Sequence, residues 1–122
     1  MSDLKETLLQ DLCVRLPYHT MVECKTDNSH KFDEELSVIH IMNFYQFNVK
    51  PYLRPLSDMT EDERKLAKDN GCIIYHDTSP NNKGLLVIAS PNGFDWLNAH
   101  NFDYRGLIEK GLALKAKKGM YE

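Results

Sequence analysis

Two short apolar runs separated by a loop-forming segment constrain the fold of this chain most strongly. The runs are Cys72-Ile73-Ile74-Tyr75 and Leu85-Leu86-Val87-Ile88, and residues 77–84 between them read DTSPNNKG. Proline presets φ, and Asn and Gly tolerate φ > 0, so this composition favours a turn. The pattern predicts a β-hairpin with a long tip at 77–84. Part of the protein is therefore expected to be sheet.

Helix signals lie on both sides of this hairpin. Before it, Thr60-Glu61-Asp62-Glu63 has the spacing of a capping box, and Asn70-Gly71 supplies a C-terminal stop. The sequence between these two signals is strongly polar, which predicts a helix on the surface. After the hairpin, Ser90-Pro91 combines an N-cap with proline at the first helical position, which predicts a helix to about Asn101.

The N-terminal segment predicts an amphipathic helix that ends at Pro17. Leucines recur every fourth residue over 4–16, which marks an apolar stripe that Cys13 widens. The charged residues, Asp11 and Arg15 among them, are expected to fall mostly off this stripe.

Residues 18–53 predict β-structure. Thr20–Lys25 is expected to form one strand and Leu36–Met42 a second, on which His40 is a hydrogen-bonded core histidine. Phe44–Val49 either continues the second strand or pairs with it. Together these signals indicate a single α+β domain over the whole 122-residue chain. It consists of a small antiparallel sheet with an N-terminal helix, a surface helix and a C-terminal helical segment packed on it.

Composition argues against several classes of function. The formal net charge of -3 gives no electrostatic reason to expect tight binding to nucleic acid or to an anionic membrane. No apolar run has the length of a membrane span or of a secretory signal. The three cysteines are widely spaced and lack a CxxC pair, which is typical of reduced thiols and predicts a cytoplasmic protein.

The stretch FDWLNAHNFDYRGLIE at 94–109 holds the only Trp of the chain and has two interpretations. In the first, its apolar side chains complete the core against the sheet. These are Phe94, Leu97, Phe102, Leu107 and Ile108. In the second, its aromatic and cationic side chains form an exposed patch for a partner, because Trp, Tyr and Arg dominate binding hot spots. These are Trp96, His100, Tyr104 and Arg105.

A second candidate binding segment, residues 50–56, interleaves basic and aromatic residues. Its two prolines confine it to a sheet edge or to an extended connection. In one interpretation Lys50, Tyr52 and Arg54 contact a peptide or a nucleic-acid backbone. In the other, Tyr52 packs inward while Lys50 and Arg54 stay solvated.

The sequence contains no convergent set of catalytic residues. His100 and Asp103 are close in sequence, but no nucleophile is identifiable near them. The enzymatic alternative is a metal-dependent nuclease that uses Glu23 and Lys25, because a Glu-x-Lys tripeptide on a strand puts a carboxylate and an ammonium group on one face. A helix is predicted where such an enzyme would have a strand with a metal-binding Asp.

Possible metal ligands are present, but their spacing is not that of a metal site. No pair has the i, i+4 helix spacing or the CxxC arrangement that marks zinc sites. The residues considered are His19, Cys24, His30, His40 and His76. We therefore predict neither a metal site nor a cofactor.

Two motifs resemble a recurring family of small uncharacterised proteins. They are KPYLRPLSDMTEDE at 50–63 and FDWLNAHNFDYRGLIEKGLALKAKKGMY at 94–121. Members of the family look like products of Bacteroidetes genomes, their phages and their integrated mobile elements. The resemblance implies no enzyme, no cofactor and no catalytic residues.

These observations lead us to expect a non-enzymatic accessory or interaction protein of a phage or mobile element. It would bind a protein partner through Trp96–Arg105 and Lys50–Arg54. The alternatives are the metal-dependent nuclease and a weak nucleic-acid-binding module that uses Lys115, Lys117 and Lys118. The sequence leaves the oligomeric state open.

Overall fold

The structure, a computed structural model, describes residues 2–25, 30–76 and 85–121. The helices are α1 (Ser2–Arg15), α2 (Val38–Met42), α3 (Glu61–Asp69) and α4 (Pro91–Ala99), with a 3-10 turn at Leu56–Asp58. The strands are β1 (Met21–Lys25), β2 (Lys31–Glu35), β3 (Asn48–Pro55), β4 (Cys72–His76), β5 (Leu85–Ala89), β6 (Phe102–Asp103) and β7 (Leu114–Lys115). In the described residues, no helix is long and apolar enough to cross a membrane.

The larger sheet confirms the α+β class and corrects its strand directions. Its order is β2-β1-β3-β6, and β7 also pairs with β3. β1 is antiparallel to β2 and β3, whereas β6 and β7 run parallel to β3. The sheet is therefore mixed, because the C-terminal segment returns along β3 in the same direction.

The predicted hairpin strands are confirmed as β4 and β5, which form a separate two-stranded antiparallel sheet. Ile73 lies opposite Ile88, and Tyr75 lies opposite Leu86. Since side chains alternate between faces, these pairs share one face of the hairpin. The predicted tip at 77–84 lies outside the described residues.

The capping signals of α3 and α4 are also confirmed. The Glu63 N–H donates to the Thr60 hydroxyl at 3.1 Å, and the Thr60 N–H donates to the Glu63 carboxylate at 3.0 Å. Gly71 follows α3 with φ of +89°, a conformation that glycine adopts without strain. At the start of α4, the Gly93 N–H donates to the Ser90 hydroxyl at 3.2 Å.

The strand predicted over Leu36–Met42 is wrong, because residues 38–42 form α2. The backbone N–H of Ser37 donates to Nδ1 of His40 at 3.0 Å, so His40 closes the first turn from the N3 position. This local bond stabilises the first helical turn, although the residues have high β-propensity. His40 is buried as expected, but on a helix.

The buried face of α1 differs from the predicted stripe. Leu8 and Leu12 are buried, but Cys13 is exposed, and Asp11 and Arg15 are 0% exposed. Positions 8, 11, 12 and 15 lie on one face of the helix. The buried face of α1 is therefore rotated away from the predicted leucine stripe and toward the charged pair. Asp11 and Arg15 compensate each other, which makes this rotation possible.

Two clusters of apolar side chains form the core. The first lies between α1 and the larger sheet and contains Leu8, Leu12, Val22, Cys24, Leu36, Phe44, Val49, Leu53, Leu107 and Ala113. The second lies between the hairpin and α3 and α4 and contains Leu56, Met59, Ala67, Cys72, Leu97 and Phe102. The core interpretation of 94–109 is thus correct for Leu97, Phe102 and Leu107, whereas Phe94 is exposed.

Candidate functional site

Part of the predicted aromatic patch is a stack built on the buried ring of Phe102. Trp96 stacks on Phe102 with ring centroids 5.9 Å apart, and His100 lies 4.3 Å from Trp96. The guanidinium carbon of Arg54 lies 4.2 Å from the centroid of Phe102. Trp96 is half-buried and His100 is exposed. The stack therefore joins two predicted residues of the first binding segment, Trp96 and His100, to Arg54 of the second, but its largest ring is mostly used in packing.

Tyr104 and Arg105, predicted to belong to the same patch, make other contacts. The Tyr104 hydroxyl donates to the side-chain oxygen of Asn98 at 3.1 Å. The Nε atom of Arg105 lies 3.2 Å from the Asp11 carboxylate, and its guanidinium lies over the Tyr104 ring at 5.2 Å. Both side chains are half-buried. Arg105 thus helps to neutralise a buried acid, which explains its position without any partner.

The contact between His100 and Trp96 makes one pH effect measurable. Partial desolvation by the neighbouring side chains lowers the pKa of His100 below its ordinary value of 6.5, Glu63 opposes this effect, and Arg54 adds to it. Since the unfolded chain then binds the proton more readily, stability falls as the pH is lowered through about 6.5.

Because a protonated imidazole quenches an adjacent indole, we expect Trp96 fluorescence to drop with a midpoint below 6.5. A fluorescence titration measures this, with His100→Gln as the control that loses the transition. A midpoint at or above 6.5 contradicts the prediction.

The second predicted segment forms β3 in the interior of the sheet, not a connection. Proline lacks an N–H group, so it fits a strand only where one side is unpaired. In β3, Pro51 pairs with β1 alone and Pro55 pairs with β6 alone. Tyr52 is buried, and its hydroxyl donates to Asp33 at 2.8 Å, so it is not the surface residue that the binding interpretation requires. Arg54 makes two hydrogen bonds of 2.8 Å to Glu63, which lower the pKa of that carboxyl.

The residues of the nuclease alternative lie on one face of the larger sheet. Glu23 lies opposite Asp33 on β2 and opposite Lys50 on β3, and Lys25 follows on the same face. A second carboxylate is therefore present, but Asp33 is already engaged. Lys117 donates to it at 2.5 Å and Tyr52 at 2.8 Å, and these bonds hold its pKa below the ordinary value. This arrangement does not leave an open pair of carboxylates for a metal ion.

The basic tail is largely paired with acids. Lys117 bonds to Asp33, and Lys115 lies 3.8 Å from Asp58. A nucleic-acid backbone would have to compete with these carboxylates, which weakens the electrostatic basis of the nucleic-acid alternative.

Two of the five residues considered as metal ligands, Cys24 and His40, do come together, and Glu34 joins them. Their candidate ligand atoms all lie within 4.8 Å of one another. Nε2 of His40 bonds to the Glu34 carboxylate. Burial, and secondarily the Glu34 charge, raise the pKa of the Cys24 thiol. Spacing in sequence did not reveal this cluster, because its members come from three different elements.

Sequence reasoning also missed a groove between α3 and β4. It has a volume of about 230 Å³, and its described lining residues all come from these two elements. The lining residues are Arg64, Lys68, Cys72, Ile73 and Ile74. Burial raises the pKa of the Cys72 thiol, so the floor of the groove is neutral and the cations lie only on the α3 wall.

The hairpin beside this groove presents unpaired backbone and exposed apolar side chains. Among the strands in the described parts of the chain, β4 pairs with β5 alone. Ile73 is 54% exposed and Ile88, opposite it, is 62% exposed. The signal in the sequence was the absence of charge from 72–75 and 85–89, since edge strands usually carry charged residues that prevent pairing.

Comparison with known proteins adds no relative. No family model, curated protein or solved structure matches the chain.

Proposed function

We propose that this chain is a protein-binding module that takes an extended, acidic and apolar segment of a partner into the groove between α3 and β4. The segment pairs with the free edge of β4 and extends the two-stranded sheet. The observation that carries this proposal is the coincidence of an unpaired strand edge with a groove that has an apolar floor and a cationic wall.

Strand addition suits this geometry for a physical reason. The exposed edge of a strand offers N–H and C=O groups that an incoming strand can satisfy, which provides affinity for any extended segment. Side chains of that segment alternate between the two faces of the extended sheet, so every second one lies beside Ile74, which packs on the second core cluster, and the others lie beside the exposed Ile73. The groove thus selects apolar residues at every second position.

The charge of the partner follows from Arg64 and Lys68. They lie one helical turn apart on α3, on the same wall of the groove. Within the described residues, neither side chain forms an ion pair. Unpaired cations beside a neutral floor favour carboxylates on the partner and disfavour lysine and arginine. The affinity should therefore fall as salt is added.

The groove fits a partner better than the aromatic patch or the exposed face of α2. Trp96, Tyr104 and Arg105 are half-buried and engaged within the fold. The α2 face carries exposed apolar residues, including Ile39, but the backbone groups of a helix are already bonded to each other. Of these three surfaces, the groove is the one that combines apolar surface, charge and free backbone groups.

This proposal keeps the non-enzymatic role expected from the sequence and changes its site. The resemblance to proteins of phages and mobile elements supports an accessory role, in which the partner is a protein of the host or of the element. A cytoplasmic location is part of the proposal, because the three cysteines are all free thiols.

Selection from a random-peptide display library tests the chemistry of the partner. Immobilised full-length protein should enrich peptides with apolar residues at alternate positions and with Asp or Glu between them. A matched selection on the Arg64→Glu, Lys68→Glu double variant should lose the acidic preference. Enrichment of basic peptides, or of none at all, contradicts the proposal.

Ile73→Lys should weaken binding of a selected peptide about tenfold or more, because it puts a charge at the apolar contact beside the free edge. Isothermal titration calorimetry measures the change. Ile39→Lys is the matched control, since Ile39 is 58% exposed and Ile73 is 54% exposed. Loss of binding in the Ile39 variant instead would move the site to α2 and overturn the assignment.

A second copy of this chain is the competing occupant of the β4 edge. Sedimentation velocity of the wild type and of Ile73→Lys distinguishes the two cases. A monomer in both supports a separate partner. A wild-type dimer that the substitution dissociates would contradict it.

A further inference from the structure

We propose that Cys24, Glu34 and His40 form a binding site for Zn²⁺, with a water molecule as the fourth ligand. The site lies between β1, β2 and α2, so it is separate from the groove between α3 and β4 and independent of the proposed function. Its ligand atoms already lie within 4.8 Å of one another.

The sheet register places two of the ligands side by side. Cys24 lies opposite Phe32, and Glu34 is two residues further along β2, so both side chains point to the same face of the sheet. This diagonal pair is within reach of long side chains. His40 lies over them from α2, and its ring meets the Glu34 carboxylate.

The chemistry of the ligands favours zinc over calcium or magnesium. A thiolate, an imidazole and a carboxylate are the donors that Zn²⁺ combines in proteins, whereas the harder cations prefer oxygen alone. Bonds of about 2.0–2.3 Å to a tetrahedral ion put ligand atoms roughly 3.3–3.7 Å apart. The three ligand atoms therefore need only modest shifts to enclose the ion.

The three ligands differ in exposure, so one side of the site is buried and the other is open to solvent. Cys24 and His40 are buried, whereas the side chain of Glu34 is 44% exposed. The ion can thus enter past Glu34, and three protein ligands leave one position of a tetrahedral ion for water. Such an arrangement resembles catalytic zinc sites, which keep one position for water, more than closed structural ones.

The proton balance of His40 allows the exchange of a hydrogen bond for a metal bond. Nδ1 accepts from the Ser37 N–H at 3.0 Å, so in the metal-free state the ring proton lies on Nε2 and faces Glu34. When zinc bonds to Nε2, that proton moves to Nδ1, so the Ser37 N–H loses its acceptor there and the Ser37 hydroxyl, 3.3 Å away, accepts from Nδ1 instead. Cys24 releases its thiol proton to water as the sulfur–zinc bond forms. One proton therefore leaves for each ion that binds.

Titration of the full-length protein with Co²⁺ alone tests this site. We expect one equivalent to produce the visible absorption of tetrahedral Co²⁺ and a sulfur-to-cobalt charge-transfer band, both abolished by added Zn²⁺. Cys24→Ser should remove the charge-transfer band. Cys72→Ser is the matched control, because that cysteine is equally buried but lies in the second core cluster, and it should leave the band unchanged.

A second variant separates metal binding from folding. Glu34 is partly exposed, so Glu34→Gln should keep the fold while it weakens Co²⁺ binding by about 10- to 100-fold. Absence of the charge-transfer band in the wild type would overturn the site. So would a band that survives Cys24→Ser, or Co²⁺ affinity unchanged in Glu34→Gln. A metal-free hydrogen-bonded cluster gives the first of these results.

Discussion

Asp11→Ala is expected to lower the free energy of unfolding by about 3–5 kcal/mol, because it leaves a guanidinium group buried without its counter-charge. Asp11 and Arg15 are both 0% exposed. Nε of Arg15 donates to the Asp11 carboxylate at 2.7 Å, and Nη2 donates to the Phe102 carbonyl at 2.8 Å. Within the described residues, Nη1 of Arg15 has no hydrogen-bond partner. Loss of the Asp11 carboxylate would therefore leave the Phe102 carbonyl as the acceptor for this buried guanidinium group. Arg105 also loses its acid in this variant.

Urea unfolding followed by circular dichroism measures this effect. Asp58→Ala is the control, since its exposed partner Lys115 lies 3.8 Å away and such pairs contribute about 0–1 kcal/mol. A double variant, Asp11→Leu with Arg15→Met, should regain most of the lost stability, because it removes both buried charges together. A loss below about 1 kcal/mol for Asp11→Ala would show that the pair is hydrated in solution.

Phe102→Ala is expected to cost about 3–5 kcal/mol, because it removes a fully buried ring and leaves a cavity. The Trp96 ring stacks on the Phe102 ring with centroids 5.9 Å apart, and the guanidinium carbon of Arg54 lies 4.2 Å from the Phe102 centroid. Its backbone carbonyl, which accepts from Arg15, is unchanged by the substitution. The loss therefore reports on ring packing and not on the buried ion pair.

Chemical denaturation again provides the free energy, and the emission maximum of Trp96 provides a second readout. We expect the emission to shift toward longer wavelength, since the indole loses the surface on which it stacks. Phe94→Ala is the matched control in the same segment, because Phe94 is exposed and makes a single tilted contact of 5.2 Å with Tyr104. Equal losses for the two variants would contradict the assignment of Phe102 to the core.

Elements with local end signals could be predicted from the sequence. The caps at Thr60 and Ser90 specify where α3 and α4 begin, because their bonds involve residues three apart in the chain. The β4–β5 hairpin followed from its apolar runs and the turn residues between them. In each case the determining interactions are close in sequence.

Features that depend on distant partners could not be predicted in this way. The apolar run around Val38 and Ile39 has high β-propensity, yet it forms a helix whose Ile41 packs against the first core cluster, which includes Leu8 and Leu12 of α1. The burial of Asp11 depends on Arg15 and on Arg105, which is far away in sequence. Asp11 and Arg15 meet within one helix, but only the assembled fold brings Arg105 to them.

Residue type was a poor guide to side-chain exposure for the same reason. Trp96 and Tyr52 have the composition of a hot spot, but one is half-buried and the other is buried. The proposed groove instead uses Ile73 and Arg64, which are ordinary residues in the sequence. Their proposed role comes from a free strand edge beside a helix, which is a property of topology.

Amide hydrogen exchange of β4, with and without a selected acidic peptide, tests the proposed function most directly. We predict that the β4 amides pointing away from β5 exchange fast in the free protein and become protected when the peptide binds. Protection that appears at α2 or around Trp96, with β4 unchanged, would contradict the account.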